Sequence, residues 1–203
     1  MSKGRPARSA LHFGLDSLGA AEPESQRGRG SACLPATPAM TDEELLEEKW
    51  GRVLVHESGH ALMAVLKGIH CHGIYYDRTA NQFCALTDPT PEPEHLKKHY
   101  MCSAAGAAAE LVIYGNRDEE DATSDRSAFQ GAGAPSFQDT LNEAQALLRG
   151  SEGKLRRLVS KLKSKCLQVD LDLGALPEVG LDGSDHKFAV LMPRDELESV
   201  LRS

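Results

Sequence analysis

The chain has 203 residues, enough for one domain with a real core plus a tail. Its formal net charge of -7 argues against a general nucleic-acid binder. There is no run of 18 apolar residues to span a membrane, and the first residues lack the apolar segment and cleavage site of a secretory signal.

Residues 1–40 differ in composition from the rest. They are rich in Gly, Ala, Ser, Pro and Arg without sustained periodicity. Their charges are Lys3, Arg5, Arg8, Arg27 and Arg29 against Asp16, Glu22 and Glu24, so +5 and -3 give +2 and the remainder carries -9. Such a segment buries too little apolar surface to offset its ordering entropy, and a disordered N-terminal tail is expected. An organelle transit peptide is the competing reading, and Met40 as the natural start is a third. The domain proper is expected over 41–203. Five cysteines (Cys33, Cys71, Cys84, Cys102 and Cys166), odd in number and without C-x-x-C spacing, fit a reduced, cytoplasmic protein.

Thr41-Asp42-Glu43-Glu44 reads as a capping box opening a helix from about 42 to 67, closed by Lys67-Gly68. Leu45, Trp50, Val53, Leu54, Ala61 and Ala64 fit its buried side. Two short extended runs follow, 73–76 and 82–87, with a turn at 77–81, and read as a hairpin. His70-Cys71-His72 precedes it; ordinary loop residues are expected there, with a minor alternative that His70 and His72 ligate the main site. A turn-rich connector, 88–93, leads to a helix from about 92 or 94 to Tyr114. Its small-residue centre, 103–109, predicts close packing against the first helix. Glu110 follows that ridge and is placed to face histidines or cap a network. The polar stretch 117–125 contains Asp118, Glu119, Glu120 and Asp121, a solvated charge run. Helices are predicted over 136–148, capped by Ser136, and over 152–167. A loop spans 169–185, a short strand 187–192, and a last helix 193–201 with Pro193 in its first turn.

The chemistry lies in the first helix, at His56-Glu57-Ser58-Gly59-His60. Two imidazoles four steps apart are separated by about 400° of rotation and about 6 Å of rise, so both leave one face. Both can reach one zinc ion (Zn2+). Glu57 projects beside the metal and can take a proton from an activated water. A carboxylate near Ser124-Asp125 can complete a two-histidine, one-carboxylate set with an open fourth position, the arrangement of catalytic zinc.

Three segments in order then resemble the peptidase domain of the FtsH-type, AAA-linked zinc metalloproteases. His56-Glu-Ser-Gly-His-Ala61 is similar to that family's HEAGHA. The run 105–115, AGAAAELVIYG, is similar to its GGRAAEEIVFG. Ala122-Thr-Ser-Asp125 is similar to its ASND. The similarity covers about residues 45–165, with Ala107 where the family has arginine and Leu111 where it has a second glutamate. The resemblance implies that His56, His60 and Asp125 are zinc ligands and that Glu57 is the catalytic base. The expected fold is mainly α, a zincin-like helical metallopeptidase domain with a small β-hairpin. The chain contains no G-x-x-x-x-G-K-[ST] phosphate loop. The expectation is therefore an ATP-independent endopeptidase acting on peptides or unfolded protein, any separate ATPase partner being unidentified. The alternative is a non-proteolytic zinc-binding interaction module on the same fold, in which a further residue such as His70 or Glu110 would close the fourth position.

Overall fold

The computed structural model describes residues 40–88, 96–119, 121–131, 133–169, 172–179 and 187–203. The expectation of a disordered tail falls on residues outside these, Met40 apart.

Thr41 caps helix α1 (Asp42–Leu46): its Oγ1 accepts from the Glu44 N–H at 3.2 Å, and the Glu44 carboxylate accepts from the Thr41 N–H at 2.8 Å. A single π-helical turn (Glu47–Gly51) joins α1 to α2 (Arg52–Lys67). Leu46 is buried, whereas Leu45, expected inside, is 43% exposed. Stepping back by fours from Leu54 through Trp50 reaches Leu46. Helix α2 ends at Gly68, whose φ of 69° is the left-handed conformation that glycine adopts without penalty.

Strands β1 (Cys71–Asp77) and β2 (Gln82–Thr87) form the expected hairpin, but they belong to a larger sheet. β3 (Glu178–Val179) and β4 (Phe188–Pro193) complete an antiparallel sheet of order β2-β1-β4-β3. β4 pairs with β1, a long-range partnership that no local pattern announces. Trp50 packs edge-on to Phe83 at 5.1 Å and to Tyr76 at 6.1 Å, which joins the π turn to the sheet.

The helix expected to run unbroken to Tyr114 is two helices, α3 (Leu96–Ser103) and α4 (Ala105–Ile113), broken at Ala104; its expected start at 92–94 lies outside the described residues. α4 packs on α2, as the small-residue ridge predicts. The approach is close: a Cβ on Gly59 would stand 2.3 Å from the Ala105 carbonyl oxygen. The polar stretch contains a short helix that the sequence did not announce, α5 (Asp121–Ser127). Helices α6 (Phe137–Gly150), α7 (Glu152–Gln168) and α8 (Arg194–Arg202) lie close to the expected spans. α6 and α7 press Leu141, Leu148, Leu155, Leu158 and Leu162 into the same core as Leu54 and Leu62. Each such side chain contributes about 1.5–3 kcal/mol by leaving water. The fold is therefore mainly α with a small antiparallel sheet. Among the described residues no helix is long and apolar enough to cross a membrane.

Candidate metal centre

Helix α2 places His56 and His60 one turn apart, their ring centroids 4.7 Å from each other. Each ring has its Nδ1 tied to an acceptor. His60 Nδ1 lies 2.7 Å from the Cys102 carbonyl, which can only accept, so that nitrogen carries the proton. His56 Nδ1 lies 2.7 Å from Glu110 Oε1. Both rings are thereby oriented with Nε2 facing the same spot, the arrangement that supports histidine ligands from behind. The break at Ala104 lies two residues past Cys102, at the end of α3 that meets His60.

The third group comes from α5. Ala122 and Asp125 are spaced by three and share its buried face, and Asp125 is only 9% exposed. Its Oδ1 lies 3.4 Å from His60 Nε2 and its Oδ2 lies 3.5 Å from His56 Nε2. These separations are long for hydrogen bonds. One ligand atom from each of the three residues lies within 4.8 Å of the others, close enough to share one metal ion. Oδ2 is buried and has no hydrogen-bond partner, an orphaned acceptor that a cation would satisfy. His56, His60 and Asp125 are the one group of potential metal ligands that converges among the described residues. The donor set, two imidazoles and a carboxylate, suits a divalent transition metal.

The ionisable groups bias one another. Burial pushes the Asp125 carboxyl upward, but the two imidazoles beside it outweigh this and hold its pKa at about 2. Burial favours neutral imidazoles, yet the Asp125 carboxylate beside both rings, joined by Glu110 at His56, raises both histidines above their ordinary value. Glu57 is raised by burial, which makes it a better base than a solvated glutamate. Its Oε2 accepts the Ala85 N–H from β2 at 2.6 Å, so the carboxylate is held towards the sheet.

The other candidates lie elsewhere. His72 pairs with Asp88 at 2.8 Å, and His70 faces Arg194. Glu119 is exposed and bridges Arg117 and Arg126, as a solvated charge run should. Asp118 instead uses its backbone N–H to bond Glu110 Oε2 at 2.7 Å. The side chains of Glu120 and Asp121 lie outside the described residues. Glu110 is fully buried and supports His56 from behind. Sequence reasoning missed Cys102, Ala85 and Gly106, which act through backbone or through lack of a side chain. It also missed Arg52, whose position one turn before His56 was a readable signal.

No protein-family model matches this sequence, and no curated protein matches it.

Proposed function

We propose that this chain is a zinc-dependent endopeptidase-like domain of the FtsH type that hydrolyses peptide bonds without ATP. The observation that carries the reading is the convergence of His56 Nε2, His60 Nε2 and Asp125 beside a separately held Glu57. A zinc ion held by the three ligands would acidify a water and polarise a peptide carbonyl. Glu57 takes the proton of the attacking water and returns it to the leaving amine. His56 and His60 are kept in the ligating orientation by Glu110 and Cys102. The proposed substrates are peptides, loops or unfolded chains. The alternative module gains little support: structural zinc sites usually close with a fourth protein ligand, and three groups converge among the described residues. A structural zinc also has no use for Glu57.

The test pairs metal analysis with cleavage of a reduced, alkylated protein by the wild type and by Glu57→Gln. One zinc in each, with cleavage falling by about 10²-fold or more in the variant and unaffected by ATP, is the expected result. Equal cleavage by both sinks the mechanism. A zinc-loaded wild type inert on a broad substrate panel favours the interaction module.

A further inference from the structure

Glu110 is buried to 0% exposure on α4, and a buried carboxylate is costly unless its oxygens are satisfied. Oε1 accepts from His56. Oε2 accepts from Arg52 NH1 at 2.7 Å and from the Asp118 N–H at 2.7 Å. Arg52 thus brings a permanent positive charge against Glu110. It reaches further: its NH2 donates to Asn116 Oδ1 at 2.9 Å, and its guanidinium stacks on Tyr114 at 4.8 Å.

The placement gives these contacts a consequence. Arg52 and His56 are one turn apart on α2, so one helix carries both a ligand and the cation that holds the ligand's support. Asn116 and Asp118 lie on the short segment between α4 and α5, and α5 carries Asp125. One fork of Arg52 fixes the carboxylate behind His56, and the other fixes the segment that delivers the third ligand. A planar guanidinium can hold two acceptors at set angles; an ammonium cannot.

We propose that Arg52 is a positioning residue of the metal centre, which sets His56 through Glu110 and α5 through Asn116. The proposal rests on the zinc reading for its ligand, but the hydrogen bonds from Arg52 through Glu110 to His56 join protein groups alone, so they can also be tested in protein stripped of metal.

The experiment compares the wild type, Arg52→Met, Arg52→Lys, Glu110→Gln, the Arg52→Met/Glu110→Gln double variant and an exposed control, Arg157→Met. The first readout is zinc affinity by chelator competition. Arg52→Met should weaken binding by about 10–100-fold, the usual effect of losing a ligand's support. Arg52→Lys, which keeps the charge but not the fork, should lose at least about fivefold. In the Glu110→Gln background, Arg52→Met should cost less than it does alone, because its main route to His56 has gone. The second readout uses metal-free protein: solvent exchange of the His56 Nδ1 proton by NMR should quicken about tenfold or more in Arg52→Met. Arg157→Met should change neither.

Zinc affinity within twofold of wild type in Arg52→Met, fully additive losses in the double variant, or an unchanged exchange rate would each overturn the proposal. If Arg52→Met does not fold, Arg52→Lys decides, and wild-type affinity and exchange there overturn it. A wild type that takes up no zinc defeats the metallopeptidase reading instead, and the exchange rate alone then decides the role of Arg52.

Discussion

Gly106 lies directly against the ring of His56: a Cβ at that position would stand 2.3 Å from Nε2, the nitrogen turned towards the metal site. The contact is between a residue of α4 with no side chain and the first histidine of α2. Close helix packing and ligand placement are therefore the same feature of this molecule.

Gly106→Ala should consequently damage the site more than the fold. The methyl group must push the imidazole aside, and the ring is already fixed by Glu110 at its far nitrogen. We expect zinc affinity to fall by at least about tenfold, the scale seen when a ligand's orientation is lost. Gly59→Ala makes the opposite comparison. Its Cβ would meet the Ala105 carbonyl oxygen at 2.3 Å and the Ala109 Cβ at 2.6 Å, so the helices themselves must separate. Overpacking of this kind costs about 1–3 kcal/mol. Urea unfolding of the metal-free proteins, set beside chelator competition, separates the two effects; a Gly106→Ala protein with full zinc affinity would contradict the first.

Much of this was legible in the sequence. Four-residue spacing put two imidazoles on one face, and the run of small residues announced a tightly packed neighbour. Thr41 and Gly68 marked the ends of the first helical stretch correctly. What stayed hidden has physical causes. The buried side of the first helical stretch runs Leu54, Trp50, Leu46 in four-residue steps, which leaves Leu45 on the outer side. The β1–β4 pairing joins segments more than a hundred residues apart, and strand pairing over that distance leaves no local trace. α5 is too short to show a period, and its one clear sign was the i,i+3 pair Ala122 and Asp125. Backbone groups such as the Cys102 carbonyl and the Ala85 N–H have no sequence signature.

Asp125 and Glu110 should separate by role. Asp125 faces both Nε2 atoms, whereas Glu110 bonds Nδ1 of His56 on the opposite side of the ring. Asp125→Ala should therefore weaken zinc binding more than Glu110→Ala. The expected loss for the support residue is about 10–100-fold, and the loss for the ligand exceeds it. The reverse order in a chelator titration would make Glu110 the third ligand.

Zinc uptake should release protons. His56 and His60 both hold their protons more firmly than an ordinary imidazole, because Asp125 lies beside them. Ligands must give up those protons to bind metal. The sign follows: affinity is highest at alkaline pH and falls as the pH is lowered through the raised histidine values, with onset above the ordinary value of about 6.5. Asp125, with a pKa of about 2, remains ionised and adds nothing to the slope over that range. Calorimetry in buffers of different ionisation enthalpy counts the protons. An affinity independent of pH between about 6 and 8 would contradict the arrangement.

The last prediction concerns the open coordination position. His56, His60 and Asp125 supply three ligand atoms, and the neighbouring carboxylate of Glu57 is drawn away by the Ala85 N–H. His70 and His72, the alternative candidates for that position, are engaged with Arg194 and Asp88. Zinc commonly binds four groups, so an external ligand should find a place. Cobalt can replace zinc in such a set and reports its own coordination by its visible absorption. A small hydroxamate added to the cobalt-loaded protein should shift that absorption in a saturable way. Glu57→Gln should still show the shift, because Glu57 is not among the three ligands. His60→Ala should abolish it, because it removes one of them. If the wild-type spectrum does not respond, the fourth position is closed by protein. The site would then be structural, and the peptidase reading would give way to the interaction module.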